Sequence, residues 1–223
     1  MLERRTDAEL AERIMRELKW DSRIDWTNIN VEVNDGVATL TGTVPTYLQK
    51  LEAQTAAHRV VGILDVANDI AVKPVDRFAR TDTQIASAVR SALEWDALVR
   101  DESILSTVSN GWVILDGEVD YWRELGDAED AIRRLAGVVG VTNRLTVRKR
   151  PVDSEELRKE IEFALEQRAD REAERFRIEV NDGAVDLFGR VHSWQEKRAV
   201  VGSISHADGV IQVRDHLRID PYF

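Results

Sequence analysis

Apolar residues along this chain follow two alternating periods. Leu10, Ile14 and Leu18 stand four apart, one stripe of an amphipathic helix. The period then drops to that of a strand: Ile29, Val31 and Val33 alternate with polar residues up to Asn34-Asp35-Gly36. Beyond it Ala38, Leu40, Gly42 and Val44 alternate again. Asp-Gly between two alternating runs predicts a hairpin, because glycine tolerates the positive φ of a tight turn. A second helix is predicted after Thr46, which forms a capping box with Gln49. Its small face is Ala53, Ala56, Ala57 and Val60, and Gly62 follows as its C-terminal residue. Val66, Ile70 and Val72 close the unit as a last strand.

The same pattern is then written twice more without a gap. Gly36, Gly42 and Gly62 return as Gly111, Gly117 and Gly137, and again as Gly183, Gly189 and Gly209. The first stripe returns as Ile85, Val89 and Leu93, then as Leu157, Ile161 and Leu165. Ser193 with Glu196 repeats the capping box, and the second copy offers Asp120 and Glu124. Each unit is thus helix, strand, strand, helix, strand. The fold class is α+β: three tandem αββαβ domains, each with two helices on one face of a three-stranded mixed sheet. The boundaries are 6–73, 81–148 and 153–220. Gly42, Gly117 and Gly189 fall on the apolar face of a strand, where a close second helix would explain them.

Domains this small bury only ~60% of their unfolded surface, and the chain has no cysteine to staple them. Neighbouring units are therefore expected to pack on one another. The linkers are short, and each contains a proline, Pro74 or Pro151.

The net charge of −10 is spread as −3, −3 and −5 over residues 6–80, 81–150 and 151–223. No unit is basic, which argues against nucleic acid and against generic docking on anionic lipid. No run approaches the ~18 apolar residues of a membrane span, and a cytoplasmic protein is expected, or a periplasmic one if a leader has been removed.

Val33-x-x-Gly36-x-x-x-Leu40-x-Gly42-x-Val44 and Val61-Gly62-x-x-x-Val66-x-Asn68-x-Ile70 resemble the BON domain, a module named after a bacterial osmotic-stress protein and nodulation proteins. The likeness spans roughly residues 6–72, 81–147 and 153–219. Ala136 and Asp208 depart from it before their glycines, and Asp215 departs at the asparagine. The resemblance implies a non-enzymatic, stress-related binding module for a protein partner or phospholipid head groups. Its alternative is a cytoplasmic sensor of a small solute or monovalent ion.

Tyr47, Trp122 and Trp194 share one aligned position at the start of the second helix. They are candidates for partner or lipid contact, although packing at the start of that helix is the plainer account. Trp112, beside Ile114 on an outward strand face, is a fourth candidate. Trp20 and Trp95 are aligned with Gln167 and are expected to lie partly buried over the core, the alternative being an interface between the first two units. Asn68, Asn143 and Asp215 interrupt the last strand and are expected to bond a nearby loop backbone. His58, His192, His206 and His216 do not align and lack ligand spacing. Arg144, Arg148, Lys149 and Arg150 read as a solvated linker face. No metal, cofactor or catalytic constellation is expected, and self-association stays open.

Overall fold

The computed structural model describes residues 5–95, 103–168 and 176–222, the side chains of residues 166–168 excepted. The first unit runs α1 (Asp7–Trp20), β1 (Ile29–Asn34), β2 (Val37–Val44), α2 (Tyr47–His58) and β3 (Asp65–Val72). The second runs α3 (Asp82–Trp95), β4 (Ile104–Ser109), β5 (Trp112–Val119), α4 (Trp122–Ile132) and β6 (Gly140–Val147). The third runs α5 (Ser154–Arg168), β7 (Arg177–Asn181), β8 (Ala184–Val191), α6 (Trp194–Ile204) and β9 (Gln212–Ile219). A short 3-10 turn at Trp26–Asn28, which periodicity did not reveal, leads into β1.

Strand order, invisible in the sequence, is sequential in every unit. The middle strand pairs antiparallel with its predecessor and parallel with its successor. The parallel pair requires a crossover, and the second helix provides it. Each sheet keeps one face under its helices, around a separate core. The predicted first-helix stripes are buried in all three copies, none more than 3% exposed.

The glycines serve three different purposes. Asp35 and Gly36 both hold positive φ, 49° and 77°, the two-residue turn that the hairpin needs. At Gly42 and Gly117 the expected reason is corrected. φ is 117° and 141° there, and an added Cβ would overlap the carbonyl oxygen of Asn28 or Ser103. What crowds the second glycine is the backbone leading into the partner strand, not the second helix. The close helix approach belongs to the third glycine, and it is the first helix that approaches: a Cβ on Gly62 would lie 2.9 Å from Leu10, and one on Gly137 2.9 Å from Ile85. These glycines also do not end the second helix. The helix stops at His58 in the first unit, with Arg59 as a right-handed cap, four residues before Gly62 in position.

Asp7 and Asp82 are not only first-turn acids. The Asp7 carboxylate accepts from the backbone N–H groups of Asp35 (2.9 Å) and Gly36 (3.1 Å), and Asp82 accepts from Asn110 and Gly111 (2.8 Å each). This ties the start of the first helix to the hairpin tip. Thr6 caps α1 in a full box with Glu9. In the second unit the cap is Tyr121 rather than Asp120; the Glu124 carboxylate accepts from the N–H groups of both. Asp120 instead binds Arg148 (2.9 Å) and Arg150 (3.1 Å), so half of the basic linker cluster is engaged in ion pairs.

The residue interrupting the last strand reaches a helix, not a loop. Asn68 donates to the Lys50 carbonyl (2.9 Å) and Asn143 to the Leu125 carbonyl (2.6 Å), joining the third strand to the second helix. In the third unit Asp215 cannot donate. Lys197, at the position matching Lys50 and Leu125, meets the Asp215 carboxylate at 2.9 Å.

Candidate functional site

The aligned aromatics stand at the first turn of the second helix, where the side chain points away from its own sheet. Each reaches the next unit. Tyr47 packs against the second core, its hydroxyl bonded to the Val141 backbone and lying near Glu129 and Arg133. Burial pushes that hydroxyl up, and Glu129 adds to the effect. Trp122 packs against the third core. Trp194 turns back to the first unit: its indole N–H donates to the Leu64 carbonyl at 3.2 Å, and its ring stacks on His58 at 4.0 Å and 18°.

First to second, second to third and third to first, these contacts close on themselves. A heterologous contact that closes makes a ring, here within one chain. The surface meeting each aromatic is the end of the next unit's second helix, at the matched positions Arg133, Ser205 and His58. Tandem units that bury little alone gain apolar contact this way. Between the second and third units a groove of about 610 Å³ remains, lined by Trp122, Glu129, Asn143, Lys149 and Val213. Burial pushes the Glu129 carboxyl up there, with Asp130 adding to it.

The outward tryptophans are of two kinds. Trp112 is 47% exposed, lies flat over Gly140 and donates to the Thr142 hydroxyl at 2.8 Å. Leu105, 73% exposed, shares this outer sheet face. Trp20 and Trp95 are 86% and 87% exposed at the ends of α1 and α3, so the expectation of partly buried lids is corrected. Each stands two residues past the last buried leucine, Leu18 or Leu93, and so about 200° around the helix from the stripe, on the solvent side. Gln167, their third counterpart, has its side chain outside the described residues.

The outer face of the third sheet is different again. Phe188 and His216 stack at 4.6 Å, Arg177 lies over Phe188 at 4.4 Å, and Asp186 binds both His216 (2.8 Å) and Arg214 (3.2 Å). The His216 bond holds the Asp186 carboxyl below its ordinary range. Sequence reasoning missed this cluster, because its members are spread over three strands and become neighbours only through the antiparallel and parallel registers.

Among the described residues no helix is long and apolar enough to cross a membrane, and no group of three or more His, Asp or Glu is placed to hold a metal ion. The BON domain model matches residues 6–74, 81–149 and 153–221. Osmotically-inducible protein Y of Escherichia coli (strain K12) is 27% identical over 143 residues, 62% of this chain and 71% of that protein. Among solved structures, CdsD, a structural protein of the Type III secretion system of Chlamydia trachomatis, aligns over 95% of this chain and 92% of its own. Its sequence identity is 13% and the TM-score 0.28. The C-terminal domain of CdsD aligns over 97% of this chain and 100% of its own, at 12% identity and a TM-score of 0.27. Three matched segments that together span nearly the whole chain place it in the BON family, as a protein of three tandem BON domains.

Proposed function

We propose that this chain is a non-enzymatic, stress-related scaffold whose ring of BON units presents exposed tryptophans to a phospholipid surface or a protein partner. The observation that carries this reading is the matched exposure of Trp20 and Trp95. A tryptophan with most of its ring in water contributes nothing to its own core, and such rings are the common anchors of interfaces and of the lipid head-group region. Two of them on one chain act together, since the second contact is intramolecular once the first is made. Likeness to osmotically-inducible protein Y supports the stress setting. The net charge of −10 makes insertion of the rings, rather than attraction to anionic head groups, the expected source of affinity.

Co-sedimentation with phosphatidylcholine vesicles and with mixed phosphatidylglycerol vesicles tests the lipid arm. Photo-crosslinkers placed at positions 20 and 95 in cells under osmotic stress test the protein arm. Trp20→Ala with Trp95→Ala is expected to abolish whichever contact is found while leaving the melting curve in place. A double variant that binds as the parent does would remove these rings from the account.

A further inference from the structure

The three joints of the ring differ in one respect that matters for control. Tyr47 lies near Arg133, a permanent cation, and Trp122 shares a pocket with Ser205 and with His206, which is exposed and lies 2.9 Å from the Gly202 carbonyl. At the closing joint Trp194 meets His58, a group that changes charge in mild acid. His58 is 8% exposed, and its Nε2 is buried with no hydrogen-bond partner. A neutral ring tolerates that position. A protonated ring would place an N–H and a charge there with nothing to accept them.

We propose that the joint between the third and first units is an acid-released latch, held while His58 is neutral against Trp194 and parted when His58 takes up a proton. The groups around the imidazole agree with this. From α6 come two cations, Arg198, whose charge acts on the ring, and Lys197, which lies 5.2 Å from the Trp194 ring centre. From the start of β3 comes Asp65, the one opposing charge. On the same element Arg59 is turned away, bound to Glu17 (3.1 Å) and Asp21 (3.3 Å).

Burial, reinforced by Arg198 and opposed by Asp65, pushes the imidazole from 6.5 down to about 4. A parted joint exposes His58 and restores its ordinary affinity, so the parted form binds more protons. Closure is therefore intact above pH ~6.5 and weakens as the pH falls toward ~4. Between pH 7 and 4.5 the closed-to-parted ratio drops about 60-fold. Parting also frees the Trp194 ring, so Trp194 serves a partner only in the acid form, unlike Trp20 and Trp95.

The chain lacks cysteine, so Glu12→Cys and Glu160→Cys accept a donor and acceptor dye on the first and third units without side reaction. Energy transfer is read from pH 7.5 to 4.5 in this pair, in His58→Gln and in Trp194→Ala, with far-UV circular dichroism in parallel. The labelled parent is expected to lose transfer toward pH 4.5 with its helix signal unchanged. His58→Gln is expected to hold transfer throughout, and Trp194→Ala to show low transfer already at pH 7.5. The latch is refuted by a parent-like acid profile in His58→Gln, by parent-like transfer in Trp194→Ala at pH 7.5, or by helix loss that tracks the loss of transfer.

Discussion

Gly117 and Gly126 lie nine residues apart in one unit, and replacing each by alanine should move stability in opposite directions. At Gly117 the backbone holds φ at 141°, and the new Cβ would overlap the Ser103 carbonyl oxygen. That oxygen is backbone in the segment leading into β4, so it cannot swing aside as a side chain would. Relief requires the β4–β5 pair to part or φ to change. A non-glycine residue in a glycine-only region costs about 1–3 kcal/mol, and overpacking adds about 1–3 kcal/mol. Gly117→Ala should therefore lose roughly 2–6 kcal/mol. Gly126 lies within α4 at ordinary φ, and a Cβ there meets nothing within 4 Å. Gly126→Ala should gain about 0.5–1 kcal/mol from helix propensity and a stiffer unfolded chain. For a chain of this size each kcal/mol moves the melting temperature by about 2–4 °C, so the two variants should melt on opposite sides of the parent. Hydrogen exchange on the intact chain localises the effect, with faster exchange in β4 and β5 for Gly117→Ala and slower exchange in α4 for Gly126→Ala. Equal shifts of one sign, or an unchanged β4–β5 exchange pattern in Gly117→Ala, would refute the backbone-clash account.

Other expectations rest on single contacts. Asp82→Ala removes the acceptor for two hairpin N–H groups and should lower stability by about 1–3 kcal/mol in thermal melts, with Asp82→Asn costing less. Lys197→Leu strands the Asp215 carboxylate and should destabilise, whereas adding Asp215→Asn recreates the first two copies' amide-to-carbonyl bond and should recover most of the loss in a double-mutant cycle. The Asp21 carboxyl lies well below its ordinary value, chiefly because Arg23 hydrogen-bonds it, with Arg59 contributing. Its unfolded form binds the proton more readily, so its stabilisation is present above pH ~4 and is lost as the pH falls further. Asp21→Asn should flatten that acid limb in urea titrations read across pH.

The elements were legible because period and turn chemistry are local. Leu10, Ile14 and Leu18 mark their helix without reference to any other segment, and Asp35-Gly36 marks its turn through backbone freedom alone. What stayed hidden depends on pairing between distant residues. The conflict at Gly42 is with the Asn28 backbone, which contributes no side chain to the pattern. Its position on the apolar face suggested a helix instead. Asn68 and Asp215 read as irregularities of a strand until Lys50 and Lys197 are seen opposite them on a helix. The ring was half visible. Tyr47, Trp122 and Trp194 aligned, and the small size of each unit called for packing between units. Nothing in the order of residues tells that Trp194 reaches back 130 positions to Leu64. The signal that could have revealed it is the matched position at the end of the second helix, where Arg133, Ser205 and His58 differ more than their buried neighbours do.

That contrast separates what the three copies share from what each does alone. In the cores the copies interchange aliphatics: Leu40, Leu115 and Leu187 occupy one position, and Ile70, Leu145 and Leu217 another, all buried. Any copy could serve as the platform of any other. At the joints and on the outer sheet faces they are not interchangeable. The first sheet turns Thr39, Thr41 and Thr43 outward, the second Trp112 and Ile114, and the third Asp186 with its His216 and Arg214 partners. A ring of identical units would offer the same face three times. This ring holds three chemically distinct faces, and at its closing joint the aromatic stacks on a buried histidine, whereas His206 beside Trp122 is exposed. If the joint parts because His58 takes up a proton, the charge that opens it within one chain equally bars the same contact between two chains. Mass at pH 4.5 is therefore expected not to grow with concentration through this joint, in the parent or in His58→Gln. An acid dimer that Trp194→Ala abolishes would mean that a charged His58 still accepts the ring, and would refute the cause given for the latch.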